Sequence, residues 1–597
     1  MTDYVAPVKE MNFVLQHIAD LDLVCAQPGF EESNPELVAS ILEEAAKFAG
    51  GVLAPLNTVG DLIGSKIVNN QVRETSGFTE AYQQFIEGGW TALACNPEYG
   101  GMGLPESVGI AVMEMWSAAN VSFGLCPLLG QGAIEALQSH ASDELRNLYL
   151  EKMISGQWTG TMNLTEAQAG SDLAAIKTRA TRDGDCYRIQ GTKIFITWGD
   201  HQMTENIIHL VLARIAGAPE GVRGISLFIV PKFLVTADGS VADHNDVYAL
   251  SVEHKIGIHG SPTCVMNFGG SGADNGKGAI GYLVGEENMG LSYMFTMMNH
   301  ARLNVGVQGV ALSDRSYQQA VSYARGRVQG NPPDASSSST IIQHPDVRRM
   351  LMLMRSLTEG SRALCYLTAG NFDLGHHAGD KTIREAGSLR GELLTPIAKA
   401  WSTEVSQEVT SLGVQVHGGM GYIEETGAAQ FMRDARITTI YEGTTGIQAN
   451  DFIGRKVLRD RGRELNRLMA EIRATIASLG SISNLKSVQT ALKKSVDSLA
   501  EVTHWLLDLH RDNQLLAATV AVNFLMGAGT CIAGWLLAKS ALIAQENLDQ
   551  DPSFYGAKIT TCRFYAAHVL PRTQAYLEAM KTGEETGLML LDEEFTI

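Results

Sequence analysis

Apolar positions along this 597-residue chain recur with two periods, and the switches between them mark its organisation. Asn34-Pro35 opens a helix in which Val38, Ile41, Leu42, Ala45, Phe48 and Ala49 fall three or four apart on one face. A turn-rich break, Asn96-Pro97-Glu98-Tyr99-Gly100-Gly101, precedes more helix to about Gly156. From Trp158 the spacing alternates: Cys186 to Ile189, a Gln190-Gly191 turn and Thr192 to Thr197 read as a hairpin. Further strand-like runs, Ile207 to Ile215 and Ile225 to Val235, complete a small sheet domain ending near the glycine-rich Gly269 to Gly281. Helical patterning returns near Leu291 and lasts to about Arg459, interrupted by the polar run Asn331 to Thr340, an exposed loop. Beyond Arg461, Val496, Leu499, Val502, Leu506 and Leu509 form a core-facing stripe. The expected class is α+β, mainly α, with domains at 1–36 (extension), 37–158 (helical), 159–285 (β), 286–458 (helical bundle) and 459–597 (helical extension).

Composition narrows the function classes. With 45% apolar and 19% charged residues the chain is an ordinary globular protein. A net charge of -19 repels a phosphate backbone, so nucleic acid is not an expected partner. The basic stretch Arg455-Lys456, Arg459, Arg461, Arg463 and Arg467 invites the opposite reading, yet 456–597 holds 15 basic against 16 acidic side chains and reads as a solvated face. Eight scattered cysteines without a C-x-x-C pair fit neither a disulfide framework nor a cysteine zinc site, and no metal is expected. The N-terminus lacks a secretory pattern, and cytoplasmic localisation is expected. Leu515 to Ala538 carries no formal charge, but Asn523, Thr519, Thr530 and three glycines dilute it, so a buried bundle helix is expected rather than a membrane span.

Four segments carry candidate chemistry. In Met162-Asn163-Leu164-Thr165-Glu166-Ala167-Gln168-Ala169-Gly170-Ser171-Asp172, small and hydroxyl residues let backbone N–H groups approach a cofactor closely. Lys193-Ile194-Phe195-Ile196-Thr197-Trp198-Gly199 ends a strand with aromatics, a hydroxyl and a glycine. In Gln415-Val416-His417-Gly418-Gly419-Met420-Gly421-Tyr422, three glycines in a helical region mark a helix break or close approach to a cofactor, and His417 alone reads as a satisfied histidine. In Tyr441-Glu442-Gly443-Thr444-Thr445, a carboxylate beside an aromatic suits a general base, because desolvation raises its proton affinity. No glycine cluster sits in a strand-to-helix G-x-G-x-x-G context, so a nicotinamide-type fold is not indicated.

Together these segments resemble the acyl-CoA dehydrogenase family. Leu164-Thr165-Glu166 with Ala169 to Asp172 is similar to the family's first signature, and Gln415 with Gly418-Gly419-x-Gly421-Tyr422 to its second. Tyr441-Glu442-Gly443-Thr444 resembles the segment carrying the catalytic glutamate, and Arg302 and Arg327 resemble two family arginines. The Asp3-Tyr4-Val5-Ala6-Pro7 start and the long tail resemble a large subgroup with a C-terminal helical extension. The resemblance implies FAD-dependent α,β-dehydrogenation of an acyl-CoA to a trans-2-enoyl-CoA, with Glu442 as base and flavin N5 as hydride acceptor. It implies cofactor contacts at Met162, Leu164, Thr165, Gly170, Ser171, Phe195, Ile196, Thr197, Arg327, Gln415, Gly418, Gly419 and Thr444. Substrate contacts are implied at Ser171, Arg302, Tyr441 and Gly443.

Electrons are expected to pass to an electron-transferring flavoprotein, and the tail favours a homodimer. The substrate is expected to be 3-methylmercaptopropionyl-CoA or a medium- or long-chain fatty acyl-CoA. An acyl-CoA oxidase and a nucleic-acid-binding flavoprotein relative are the alternatives. Phe195 and Trp198 stand where many members carry Trp and Asn, which implies a different flavin-stacking residue, while Gln430 replaces a basic residue of the second signature and Gly446 a side chain that often contacts FAD. Some members place the base just before the arginine matched by Arg302; here that residue is Ala301, which leaves Glu442.

Overall fold

The computed structural model describes residues 3–270, 276–333, 339–583 and 585–596. Helix accounts for 64% of the chain and strand for 13%, so the α+β, mainly α class holds. The chain divides into two compact units, one of Met1–Glu43, Pro105–Glu114 and Arg302–Ile597, the other of Glu44–Leu104 and Met115–Ala301.

The second unit contains the sheet. A small hairpin joins β1 (Lys66–Val68) and β2 (Gln71–Arg73). The main sheet uses β3 (Trp158–Asn163), β4 (Arg179–Asp183), β5 (Cys186–Thr197), β6 (Asn206–Ile215) and β7 (Ile225–Pro231). The chain continues through β8 (Phe233–Val235), which pairs with β9 (Val241–His244), then β10 (Val247–Val252), β11 (Thr263–Phe268) and β12 (Ala279–Leu283). The strand order is β10-β11-β5-β12-β7-β6-β3, with β4 pairing β5 and β6. Tyr187, Ile189 and Ile196 of β5 pack with Val211 of β6, Phe228 and Val230 of β7, and Met266 and Phe268 of β11.

One expectation for this region needs correction. Gln190-Gly191 is no turn: β5 runs unbroken through it, and the reversal lies at Gly184, between β4 and β5. Gly191 is required for close approach instead, since a Cβ there would meet Thr178 Oγ1 at 2.4 Å and its Cα at 2.9 Å. Gly191→Ala is therefore expected to destabilise the protein by about 1–3 kcal/mol, read as a lower denaturant midpoint. An unchanged midpoint would contradict it. The last strand, Ala279–Leu283, joins β5 to β7 at the end of the glycine-rich run; residues 271–275 of that run lie outside the described residues.

In the first unit the long helices Pro345–His377 and Lys381–His417 run beside the Arg302–Gly326 part of helix Gly290–Gly326. Of the polar run 331–340, residues 334–338 lie outside the described residues, and Val328 bridges Thr340 around it. The expected stripe is in place on Lys486–Asp512: Val496, Leu499, Val502 and Leu506 are buried and Leu509 is half-buried.

The apolar stretch after Leu515 forms two helices, Gln514–Thr519 and Ala521–Glu546, rather than one. By length and composition Ala521–Glu546 and Glu106–His140 could each cross a membrane, but 83% and 94% of their most apolar windows are buried in protein. Ala521–Glu546 is tied down by close contacts. A Cβ on Gly529 would meet Trp401 Cγ at 2.5 Å, Trp401 Nε1 donates to Thr530 Oγ1 at 3.2 Å, and the Tyr565 hydroxyl donates to Thr530 O at 2.9 Å. The extension therefore covers the Lys381–His417 helix. The N-terminal arm joins the same core through Lys558, which pairs with Glu10 and, at 3.0 Å, with Glu359.

Candidate active site

Glu442 sits where the chain leaves a short 3-10 turn, Arg436–Thr439, and enters helix Thr445–Asp451. Its φ is 52°, a left-handed conformation that a side chain adopts only under constraint, and Gly443 follows at 89°. The constraint is visible. Gln448 Nε2 donates to Glu442 O at 2.9 Å, and Lys399 Nζ donates to Gly443 O at 2.7 Å. Thr444 caps the helix by accepting from Ile447 N–H at 3.3 Å, and so is occupied with the backbone.

Protein surrounds the Glu442 carboxyl on nearly every side, while the residue keeps a partly open surface. Burial raises its proton affinity above the ordinary carboxylate value, and the charges of Arg302 and Lys399 pull it partly back. Arg302 is itself buried, paired with Asp451 Oδ2 at 3.0 Å, and its Nε has no hydrogen-bond partner among the described residues. Tyr441 donates its hydroxyl to Gln308, and burial, with Glu442 beside it, raises its pKa. Glu442, Tyr441, Gly443, Thr444 and Arg302 are thus brought together. Lys399, Gln448, Gln308 and Asp451 belong to the same cluster and are not among the residues singled out from sequence; a lone lysine in the apolar run Pro396-Ile397-Ala398-Lys399-Ala400-Trp401 is the signal that could have found the first.

Arg327, Gln415, Gly418 and Gly419 form a separate group. Helix Lys381–His417 ends at Gly418, whose φ is 60°, and His417 Nδ1–H donates to Gly413 O, 2.7 Å away, as a satisfied histidine. The His417 ring lies 4.4 Å from that of Tyr323, one turn before Arg327, so the arginine and the glycines share one end of the two helices. Added Cβ atoms on Gly418 or Gly419 would meet nothing, which leaves their backbone open to a ligand. Tyr422 beside them is 85% exposed. By helix rise, Arg327 is roughly 37 Å from Arg302, and Gln415 roughly 24 Å from Lys399. The sequence motifs therefore do not converge on one spot within this unit.

In the sheet unit, the end of β5 is bent by two left-handed residues, Phe195 at 60° and Trp198 at 52°, with an irregular register against β11. The bend turns Phe195 outward, 59% exposed, while Thr197 stays half-buried. Trp198 goes inward and donates Nε1–H to Ser122 O at 3.0 Å, so Phe195 is the aromatic left on the surface. Ile196 and Met162 have buried side chains, and Ile196 belongs to the sheet core. The Ile196 carbonyl accepts from Gly199 N–H at 3.2 Å.

Leu164 and Thr165 are half-buried and Gly170 and Ser171 exposed, on a loop moored to β5 by an ion pair unforeseen from sequence. Lys193 Nζ donates to Glu166 Oε1 at 2.8 Å and to Leu164 O at 2.9 Å, and Ile194 N–H donates to Thr165 O at 2.9 Å. Burial works to raise the Glu166 carboxyl, but the Lys193 charge and hydrogen bonds from Lys193, Thr178 and Lys177 N–H hold it at about 2. Burial pulls the Lys193 ammonium down to about 8 against the attraction of Glu166.

The helical unit thus carries a shielded carboxylate, and the sheet unit by itself an open aromatic strand end and a glycine-bearing loop. The chain belongs to the acyl-CoA dehydrogenase family, whose members are FAD flavoproteins. Family models match in order: the acyl-CoA dehydrogenase N-terminal domain at 41–157, middle domain at 161–270 and C-terminal domain at 288–458, then an acetyl-CoA dehydrogenase C-terminal-like domain at 468–591. The chain is 48% identical over 580 residues to 3-methylmercaptopropionyl-CoA dehydrogenase of Ruegeria pomeroyi, covering 96% of this chain and 97% of the relative. It is 33% identical to a butyryl-CoA dehydrogenase of Syntrophomonas wolfei, with 99% of both chains covered. Among solved structures, Caenorhabditis elegans ACDH-11 in complex with C11-CoA matches with a TM-score of 0.78 at 20% identity, covering 99% of this chain and 97% of that one.

Proposed function

We propose that this acyl-CoA dehydrogenase removes the α-proton of its acyl-CoA thioester with Glu442. The observation that carries the reading is a carboxylate held in a strained, doubly braced turn and raised in proton affinity by burial. The charges of Arg302 and Lys399 oppose that rise and favour the ionised, proton-accepting form. The turn's backbone N–H groups, beginning with that of Glu442, polarise the thioester oxygen, which is where charge develops as the proton leaves.

The residues present fit FAD. Phe195, Thr197 and the Thr165–Ser171 loop present an aromatic face, hydroxyls and open backbone, and Gly418-Gly419 with Arg327 suit a pyrophosphate. Bound FAD supplies a two-electron acceptor for the β-hydrogen, with an electron-transferring flavoprotein as the onward partner. Because Arg327 and Gly418 lie a helix length from Glu442, they serve the cofactor of a neighbouring copy. The extension helices that cover Lys381–His417 favour a homodimer, and light scattering that gives a tetramer would exclude it. The domain division at 37–158, 159–285, 286–458 and 459–597 is part of this reading.

The 48% identity to the Ruegeria pomeroyi enzyme favours 3-methylmercaptopropionyl-CoA as substrate. Initial rates over a panel of CoA thioesters, with a dye or flavoprotein acceptor, are expected to give the highest kcat/KM for that thioester and lower values for butyryl-CoA and longer chains. A maximum at long chains would refute the substrate, and stoichiometric hydrogen peroxide would make the enzyme an oxidase.

A further inference from the structure

We propose that Lys399 is a positioning residue for the base: its ammonium, held on the Gly443 carbonyl, fixes the turn at Glu442 and sets a second positive charge beside that of Arg302. This rests on the reading of Glu442 as the base. Lys399 lies mid-helix among Ile397, Ala398, Ala400 and Trp401 and is fully buried. A buried ammonium is costly, and this one is spent on a peptide oxygen at 2.7 Å rather than on a carboxylate. That oxygen belongs to the residue after Glu442, in the second of two consecutive left-handed positions.

The other brace shows what a neutral group can do. Gln448, a neutral carboxamide, holds Glu442 O at 2.9 Å. A lysine adds charge, and that charge opposes the effect of burial on Glu442. The charged groups facing Lys399 are Glu442 from the turn, Arg302 from helix Gly290–Gly326 and Glu404 from its own helix. Arg302 is partly neutralised by Asp451, and Glu404 accepts the Thr445 hydroxyl at 2.5 Å. Burial pulls Lys399 down to about 7, with Glu442 resisting, so its charge is present on the acid side of neutrality, where the base most needs it. The sign follows: with Lys399 charged, Glu442 stays ionised to lower pH, and without it the acid limb of activity moves up.

The test compares Lys399→Met and Lys399→Arg holoenzymes by kcat against pH, KM and bound-flavin absorbance. Lys399→Met is expected to keep its flavin and a KM within about threefold of wild type. Its acid limb is expected about one pH unit higher, a roughly tenfold loss of rate on that limb. Lys399→Arg, permanently charged, is expected to place the limb at or below that of wild type. A rate lowered equally at all pH values in Lys399→Met, with the limb unmoved, overturns the proposal. Should that variant fail to retain flavin, the arginine variant decides, since a limb moved upward there overturns it as well. Turnover surviving in Glu442→Gln would instead remove the base itself, whereas an unmoved limb with Glu442→Gln inactive removes only the part given to Lys399.

Discussion

Glu442→Gln is expected to lower turnover by about 10²–10⁴-fold while leaving flavin and thioester binding intact. Glutamine keeps the shape of the side chain and the braces at Glu442 O and Gly443 O, which are made to the backbone. What it loses is the acceptor for the α-proton. Stability provides the control. Burial raises the carboxyl's pKa, so the folded state binds a proton more tightly than the unfolded chain does, and between the two pKa values and above, the ionised side chain costs stability. Removing that charge should leave the melting temperature unchanged or higher at neutral pH. A dead but equally stable, flavin-replete variant supports the base; activity within tenfold of wild type would dismiss it. In the wild-type enzyme the rate should rise with pH through a value above that of an ordinary glutamate, since only the ionised form accepts the proton.

What could be read from the sequence was whatever depends on neighbours close along the chain. Val38, Leu42 and Ala45, or Val496, Leu499 and Val502, announce their helices because burial of one face imposes a spacing of three and four. The Tyr441 to Thr444 quartet and the Gly418-Gly419 break were legible as motifs, and the break falls at a helix end as their composition implies. Gly191 shows where this fails. A glycine in a strand-like run serves a turn or a close approach, and the choice is made by Thr178, in the preceding strand's approach, which the local pattern cannot report. Lys399 is the clearest case. Its meaning lies in the Gly443 carbonyl, 44 positions on, and no periodicity encodes that contact.

The second large effect is expected at Lys193. Lys193→Met leaves the Glu166 carboxylate buried without its counter-ion, and breaking a buried pair from one side costs about 3–5 kcal/mol. Because Lys193 also holds Leu164 O, the same change frees the loop that carries Thr165, Gly170 and Ser171, so flavin affinity should fall along with stability. The acid side separates the ion pair from simple loss of packing. Glu166 titrates at about 2 in the fold against an ordinary value of 4.5, so its contribution is complete above pH 4.5 and disappears as pH falls through about 2. Chemical denaturation between pH 2 and 6 should show this dependence in wild type and a weaker one in Lys193→Met. Adding Glu166→Gln to Lys193→Met removes the stranded charge and should recover part of the lost stability, because the two residues act as a unit. Losses that simply add in the double variant, or a single variant with unchanged melting temperature and flavin content, would show that the loop is held by its backbone bonds alone.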